Sequence, residues 1–372
     1  MLAPVETTMK DQYLGRRDRL RRLLNRSAAG AILVTNPVNV TYLTGFTGED
    51  SYLLVGQAGD VLLSDFRYST QLEEECPGLE LAIRRQDLTM AELTAKTVGS
   101  AKVRQLALEA ESINWSLLET IREKIKRIET VATSGLVERL REVKDKTEIG
   151  ALRASIAAAE KAFGVLRATL RPEKTEIELR NELEYQIRLF GAEDRGFPSI
   201  VAAGPRAALP HAAPSNARIG DSDFVLVDWG ARGTLYRCDL TRVLVTGRIS
   251  PKLERVYGVV LNAQLRAIEA VRPGIPASEI DQIARRVIGD AGFGRYFGHG
   301  LGHGIGLDIH ERPRLASTNS TPLKPGMVMT VEPGVYIPGW GGVRIEDDIL
   351  VTRKGHEVLT SVPKELDAVV VS

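Results

Sequence analysis

The sequence has few cysteines, no long apolar run and no excess of either charge, and each absence excludes a class of protein. Cys76 and Cys238 lie far apart without CxxC spacing, which excludes a disulfide framework and leaves too few thiolates for a zinc site. No apolar run approaches the roughly 18 residues that a membrane span needs. Lys and Arg total 49 against 48 Asp and Glu, so we expect no bulk attraction to nucleic acid or to an anionic membrane.

The start of the chain also lacks the charged segment and the apolar stretch of a signal peptide, so we expect a cytoplasmic protein. Apolar residues make up 43% and charged residues 26% of the 372 residues, which is ordinary for a globular protein. The one local excess of charge is the basic stretch 16–22. Leucines recur there at helical spacing, which favours a solvated helix face over a nucleic-acid patch.

Residues 1–140 predict a smaller N-terminal α/β domain, because helical and strand patterns alternate along them. The predicted strands are 31–34, 51–55, 61–64 and 106–108, and the predicted helices are 9–25, 67–75 and 112–126. The charged segment 135–146 is the expected joint to a second domain, residues 141–372.

The second domain repeats the order helix, helix, hairpin, which predicts an α+β domain of two similar halves related by a pseudo-twofold axis. Thr175 and Glu178 form a capping box at the start of one helix, and Ser278 and Asp281 are expected to cap another. The predicted helices are 145–170, 175–190, 251–271 and 278–290, and the paired strands are 224–229 with 235–246 and 327–332 with 342–352.

The first hairpin carries two aspartates. Asp228 ends an apolar strand, and Asp239 follows 11 residues later, so a turn at 233–234 would bring the two roughly opposite each other. A buried ionised carboxylate is costly unless it is paired, hydrogen-bonded or bound to metal. Taken alone, the pair has another explanation: one aspartate ends a strand and the other pairs with Arg237 or Arg242.

The second hairpin repeats this arrangement with glutamates. Glu332 ends an apolar strand and Glu346 lies on the returning strand, with Gly339 midway in the turn. Four carboxylates in one interior would repel each other strongly without cations to neutralise them. Metal binding is therefore the economical interpretation of both hairpins together.

Histidine supplies a further candidate ligand. Three of the five histidines, His299, His303 and His310, fall within twelve residues of a stretch laced with glycines. Those glycines let the backbone approach whatever the histidines contact. One imidazole with four carboxylates suits Mn, Co, Fe or Zn better than Ca alone. Bridging carboxylates would hold two ions about 3.5–4 Å apart, the spacing used in two-metal hydrolysis.

Four motifs carry a resemblance to a known family. They are Val-Asp-Trp-Gly at 227–230, His-Gly-Leu-Gly-His-Gly-Ile-Gly at 299–306, Val-Glu-Pro-Gly at 331–334 and Arg-Ile-Glu-Asp at 344–347. With them, the sequence resembles the pita-bread metallopeptidases, which include aminopeptidase P, prolidase and methionine aminopeptidase. The ordered ligands of that family correspond here to Asp228, Asp239, His303, Glu332 and Glu346.

The resemblance implies two divalent ions per chain. Asp239 and Glu346 would bridge both ions. Asp228 would complete the ligands of one ion, and His303 with Glu332 would complete those of the other. A water bridging the ions would act as the nucleophile, with Glu332 helping to move its proton. Mn²⁺ is the first expectation, and Co²⁺, Zn²⁺ and Fe²⁺ also suit these ligands.

The resemblance also implies roles around the metals. His211 and His310 correspond to the proton-relay and substrate histidines. His299 would line the pocket for the residue after the scissile bond. Arg344 would orient an acidic ligand or bind substrate. A homodimer is expected from the family alone.

The stretches 36–46 and 65–68 resemble the N-terminal domain of the proline-specific members. We therefore expect proline-containing peptides as substrates, and an Xaa-Pro aminopeptidase as the first reading. The alternative is an Xaa-Pro dipeptidase (prolidase), which differs in steric closure beyond the proline, often by a partner's N-terminal domain. Two remoter alternatives are a creatinase-like hydrolase without metals and a non-catalytic peptide-binding module. The intact ligand set argues against both.

Overall fold

A computed structural model describes the backbone of residues 5–25 and 29–371, and within it the side chains from residue 12 onward. The chain divides into two compact units, Met1–Arg141 and Glu142–Ser372. Within the described ranges, none of the helices combines the length and the apolar character that crossing a membrane would require.

The first unit is an α/β domain. In chain order its elements are α1 (Val5–Leu24), β1 (Ala31–Val34), α2 (Pro37–Thr44), β2 (Ser51–Gly56), β3 (Asp60–Asp65), α3 (Ser69–Glu75), β4 (Glu80–Arg84), α4 (Met90–Ser100), β5 (Gln105–Glu109), α5 (Trp115–Lys124), β6 (Glu129–Thr133) and α6 (Glu138–Arg141). The sheet order is β4-β3-β2-β1-β5-β6. Strand β1 is wholly apolar because it lies inside this sheet with every residue buried.

The predicted strands and helices of this unit are confirmed, but five elements were missed: α2, β4, α4, β6 and α6. Helix α2 follows β1 almost at once. Asn36 caps it by accepting from the Val38 amide at 2.9 Å, Pro37 opens it, and Gly45 ends it in the left-handed conformation. These signals are present in the sequence, and the β-branched residues between them favour a strand by propensity.

The second unit is the α+β domain of two similar halves that the sequence predicts. Its elements are α7 (Lys146–Thr169), α8 (Glu176–Leu189), β7 (Asp194–Arg195), β8 (Ile200–Ala203), β9 (Phe224–Trp229), β10 (Ala231–Arg232), β11 (Leu240–Val245), α9 (Pro251–Ala270), α10 (Ala277–Asp290), β12 (Gly302–Gly304), β13 (Glu311–Leu315), β14 (Val328–Val331), β15 (Gly334–Ile337), β16 (Gly341–Arg344), β17 (Asp347–Val351) and β18 (His356–Val358). The two larger sheets run β11-β9-β8 and β13-β12-β14-β17-β18. Helix α7 packs on α8 and α9 on α10, one pair in each half.

The two predicted helix caps have different outcomes. Thr175 and Glu178 form the expected capping box at the start of α8. The cap assigned to Ser278 and Asp281 is wrong, because the N-cap position of α10 is Pro276, two residues before Ser278. Asp281 instead accepts bonds from the guanidinium of Arg285 and from a backbone amide of the histidine-rich segment.

Two predicted strands are interrupted. The strand expected from 235 begins only at Leu240, because Leu235 adopts a positive φ of 71° and the chain turns there. The strand expected over 342–352 is broken into β16 and β17. Asp239 and Glu346 lie at these interruptions, where side chains can leave the regular alternation of a sheet.

Trp229 anchors the strand that carries Asp228. Its ring is fully buried and stacks on Phe163 of α7, with centroids 4.1 Å apart, and its Nε1 donates to the Ala159 carbonyl at 3.0 Å. We expect Trp229→Ala to lower the free energy of unfolding of the second unit by about 3–5 kcal/mol through the cavity it leaves. Urea denaturation followed by circular dichroism measures the change.

Trp115→Ala is the matched control, because Trp115 is 71% exposed. Its effect should stay within about 0.5 kcal/mol. If both variants lose the same free energy of unfolding, the stacking of Trp229 on Phe163 does not stabilise the second unit.

Candidate active site

A cavity of about 580 Å³ in the second unit gathers the predicted site residues. All nine line it: His211, Asp228, Asp239, His299, His303, His310, Glu332, Arg344 and Glu346. Apolar side chains, including Phe197, Ile200 and Ile309, line it as well. A concave site that combines apolar walls with convergent charged groups is typical of a binding pocket for a small molecule.

The two aspartates reach the cavity from neighbouring strands, but in a register that differs from the expected one. Asp228 in β9 lies opposite Thr241 of β11, and Asp239 comes one residue before β11 begins. The expected opposition of the two aspartates is therefore wrong by two residues. The reason is that the connection between the strands contains β10 and a tight turn instead of a simple hairpin.

The glutamates follow the predicted symmetry. Val331 pairs with Asp347 on one side, and Gly334 pairs with Arg344 on the other. The same register places Glu332 across from Glu346 in the gap between these ladders. Gly339, midway between them, adopts the positive φ of 75° that its turn requires.

Thr241 and Glu346 join the two larger sheets. The Glu346 amide donates to the Thr241 carbonyl at 3.2 Å, and the Thr241 hydroxyl donates to Glu346 Oε2 at 2.6 Å. Sequence reasoning missed Thr241, although it lies two residues after Asp239. This contact brings the carboxylates of both halves into one site.

The tautomer of His303 suits a metal ligand. Its Nδ1 lies 3.1 Å from the Gly304 carbonyl, so Nδ1 carries the proton and donates it there. The lone pair of Nε2 then points toward Asp239 Oδ2 at 3.6 Å and Glu332 Oε1 at 3.4 Å. Acceptors that face each other without a donor between them need a proton or a metal cation to bring them together.

Buried oxygen atoms in the same place lack partners. Asp228 Oδ1, Asp239 Oδ1 and Glu346 Oε1 receive no hydrogen bond from any described residue. Ligand atoms of Asp239, His303 and Glu346 lie within 4.8 Å of one another. A buried, unsatisfied carboxylate is costly, so this donor set fits divalent cations bound between the two hairpins.

The electrostatics lead to the same conclusion. Burial and then repulsion by neighbouring carboxylates raise the pKa of Asp239 and of Glu346 well above the usual range. Burial also raises the pKa of Glu332 to about 7 and lowers the pKa of His303 to about 3. Without cations the site favours protons on its carboxyl groups, and divalent ions can replace those protons.

Arg344 supports one of the predicted ligands. Its Nη2 lies 2.5 Å from Asp228 Oδ2. Arg242, one of the two arginines considered as a partner for the other aspartate, pairs with Asp347 instead. Its Nη1 donates to the Tyr336 hydroxyl at 2.8 Å. Sequence reasoning missed Tyr336. This residue lies two positions after the Val-Glu-Pro-Gly motif, and no sequence pattern marks it as a site residue.

The other histidines differ in how they are held. His299 Nε2 lies 2.9 Å from the Tyr336 hydroxyl, and its Nδ1 lies 2.7 Å from the Gly300 carbonyl, so both ring nitrogens have partners. His211 and His310 are exposed at the cavity. Neither ring forms a hydrogen bond within the described part of the protein, which leaves both available to a substrate.

With this geometry in place, comparison with known proteins gives the family. The sequence model of metallopeptidase family M24 matches residues 150–353, and that of the creatinase/prolidase N-terminal domain matches residues 16–143. The chain therefore belongs to metallopeptidase family M24. It is a metallopeptidase, a hydrolase of the pita-bread fold, and its family implies divalent metal ions at this site.

Similar proteins include both proline-specific activities. A structure of an Xaa-Pro dipeptidase from Bacillus anthracis is 40% identical with a TM-score of 0.92, over 96% of this chain and 99% of that one. A structure of an X-Pro aminopeptidase from Thermotoga maritima is 35% identical with a TM-score of 0.86, over 93% and 99%. An Xaa-Pro dipeptidase from Pyrococcus furiosus is 35% identical over 353 residues, 94% of this chain and 99% of its own.

Glu346→Gln should change stability in opposite directions with and without metal. In the metal-free protein the substitution removes a repelled carboxylate while its oxygen can still accept from Thr241. We expect the melting temperature to rise by about 2–4 °C, the shift that 1 kcal/mol produces in a domain of this size. With Mn²⁺ present, wild type should gain stability through binding, and the variant should lose most of that gain.

The effect in the metal-free protein should depend on pH. The folded-state pKa of Glu346 is raised above its ordinary value of 4.5, so the group destabilises the fold increasingly as the pH rises above 4.5. The advantage of the variant should be small at pH 4.5 and larger at pH 7.5. Thermal scans at both values test this, with the exposed Glu269→Gln as control. A variant that is stabilised by Mn²⁺ as strongly as wild type would remove Glu346 from the ligand set.

Proposed function

We propose that the protein is an Xaa-Pro dipeptidase, a two-metal hydrolase that releases proline from a dipeptide. The observation that carries this proposal is a cation in the cavity, Arg314, that forms no ion pair with a carboxylate in the described residues. The relatives named as dipeptidases favour this activity over the aminopeptidase expected from the sequence.

Arg314 is well placed to bind a free carboxylate. It lies on β13 directly opposite His303 of β12, beside the ligand cluster. It also lies near His310, since burial and then the charge of Arg314 lower the pKa of that histidine. In a dipeptide the C-terminal carboxylate is only one residue beyond the scissile bond. A guanidinium close to the metal ligands would therefore bind dipeptides and discriminate against longer chains.

The chain's own residues have distinct tasks in this reaction. Asp228, Asp239, His303, Glu332 and Glu346 would hold the two cations. When bound, the cations supply the Lewis acidity that generates a nucleophile from water at neutral pH. The Glu332 carboxylate, steadied by the Thr330 hydroxyl at 3.1 Å, would accept the nucleophile's proton and pass it to the leaving proline nitrogen.

The exposed histidines would contact the substrate. His310, whose ring meets the edge of the His303 ring with centroids 4.4 Å apart, would bind the substrate beside the metals. His211, on the loop before β9, would donate a hydrogen bond to the substrate, and His299 would form part of the wall around the proline. Arg344, through its ion pair with Asp228, would orient that carboxylate toward the metal ion.

Further features of the proposal rest on family membership. We propose Mn²⁺ as the metal, with Co²⁺, Zn²⁺ and Fe²⁺ as alternatives that metal analysis of the purified protein distinguishes. The N-terminal domain, residues 1–140, would restrict substrate length and contribute to a homodimer, and residues 141–372 would form the catalytic domain. The protein would act in the cytoplasm. Sedimentation analysis tests the dimer.

Arg314→Met is expected to lower kcat/KM for Gly-Pro by about 10–100-fold, the equivalent of one charge-assisted hydrogen bond. Hydrolysis of Gly-Pro-amide, which lacks the carboxylate, should be slow in wild type and unchanged in the variant. Steady-state assays of the Mn²⁺-loaded proteins measure both. Arg312→Met is the matched control, because Arg312 lies on the same strand but does not line the cavity.

The second candidate is the Xaa-Pro aminopeptidase, which the similarity to the Thermotoga maritima structure supports. It predicts release of the first residue from a Gly-Pro-Xaa tripeptide at least as fast as from Gly-Pro, with no effect of Arg314→Met on either. Inactivity of the metal-loaded protein on all three substrates would favour a non-catalytic binding module.

A further inference from the structure

The loop formed by residues 305–310 holds His310 at the cavity, although the His310 ring has no hydrogen bond of its own in the described chain. The ring meets the edge of the His303 ring, with centroids 4.4 Å apart. The backbone of the loop must therefore set the position of this imidazole. Two bonds outside the cavity help to hold that backbone, from the Arg237 amide to the Gly306 carbonyl at 2.8 Å and from the Arg237 guanidinium to the Leu307 carbonyl.

The loop is folded around the carboxylate of Glu311. Glu311 Oε1 accepts from the Asp308 amide at 3.1 Å. A Cβ built on Gly306 would lie 2.7 Å from both carboxylate oxygens, closer than real contacts allow. The carboxylate thus occupies the space that any side chain at position 306 would need, which explains the last glycine of the histidine-rich motif.

A buried cation pairs with this carboxylate. Lys144 Nζ lies 2.9 Å from Glu311 Oε2, and the two side chains are only 1% and 5% exposed. The Lys144 backbone is fixed in turn, since its amide donates to the Gly326 carbonyl at 2.8 Å. A charge buried this deeply needs its partner, so loss of Lys144 would drive Glu311 toward water or toward protonation.

We propose that Lys144 and Glu311 are positioning residues for His310. The pair joins two residues that are 167 positions apart in the sequence. It holds the loop in the conformation that presents the imidazole to the substrate. This inference rests on the proposed function, because it assumes that His310 contacts the substrate. Neither Lys144 nor Glu311 lines the cavity, so their effect on the reaction must pass through the loop.

Lys144→Met is expected to lower kcat for Gly-Pro by roughly 10²-fold, the loss that a displacement of about 1 Å produces in a reacting group. Both metal ions should remain, since no metal ligand is touched, and elemental analysis measures them. Amide hydrogen exchange of 305–311 should become faster. The control is Lys161→Met on the exposed face of α7, which should leave all three measurements at wild-type values.

The decisive test is the same substitution in a His310→Ala background. If Lys144 acts through His310, the double variant should be as slow as His310→Ala alone. Rate losses that multiply would overturn the proposal, because they would mean that Lys144 acts on another group. Unchanged exchange of the loop in Lys144→Met, or loss of a metal ion, would overturn it as well.

Gly306→Ala provides a second route if Lys144→Met fails to fold. It keeps both charges but displaces the carboxylate, so faster exchange of 305–311 and a lower kcat are expected again, and unchanged values would contradict the role of Glu311. Failure of the proposed function is a separate result. In that case wild type cleaves no Xaa-Pro peptide, whereas the exchange measurements still report whether the ion pair holds the loop.

Discussion

Mutual repulsion among buried carboxylates is the constraint on which the second unit depends. Asp347 and its neighbour Glu346 show two different ways in which the fold accommodates a buried carboxylate. Asp347 is fully partnered, by Arg242 at 2.7 Å and by Lys364 at 2.6 Å. Although burial opposes it, these cations hold the pKa of Asp347 below its ordinary value. Its neighbour Glu346 keeps one oxygen without a partner among the described residues, and burial raises its pKa. Adjacent carboxylates are thus separated into a structural role and a ligand role by the side chains around them.

The irregular parts of the hairpins create this division. Glu346 lies outside both β16 and β17, its side chain lines the cavity, and its backbone amide bonds to the other sheet. The break between β16 and β17 permits both, through the contacts with Thr241. Three of the candidate ligands, Asp239, Glu332 and Glu346, thus lie where regular pairing ends, and Glu346 is supported by a hydrogen bond from the neighbouring half.

In the proposed function, specificity depends on groups around the candidate ligands. Those five residues would suit any two-metal peptidase, whereas Arg314, which has no carboxylate partner in the described cavity, would select a substrate that brings its own carboxylate. The loop that carries His310 is organised by a buried ion pair outside the cavity. Under these proposals, metal binding, substrate length and the position of His310 would be controlled by separate sets of side chains, which single substitutions can test independently.

The sequence by itself determined the kinds of element and the identity of the candidate ligands, because apolar strands ending in carboxylates and glycine-laced histidines are local patterns. It predicted the opposition of Glu332 and Glu346, since one turn relates them. Tertiary structure alone decided that Asp228 lies opposite Thr241 and pairs with Arg344. It also decided that Lys144 meets Glu311, and that Arg314 has no carboxylate partner in the described cavity. Such pairings join distant segments, and a local pattern does not specify which segments meet when the chain folds.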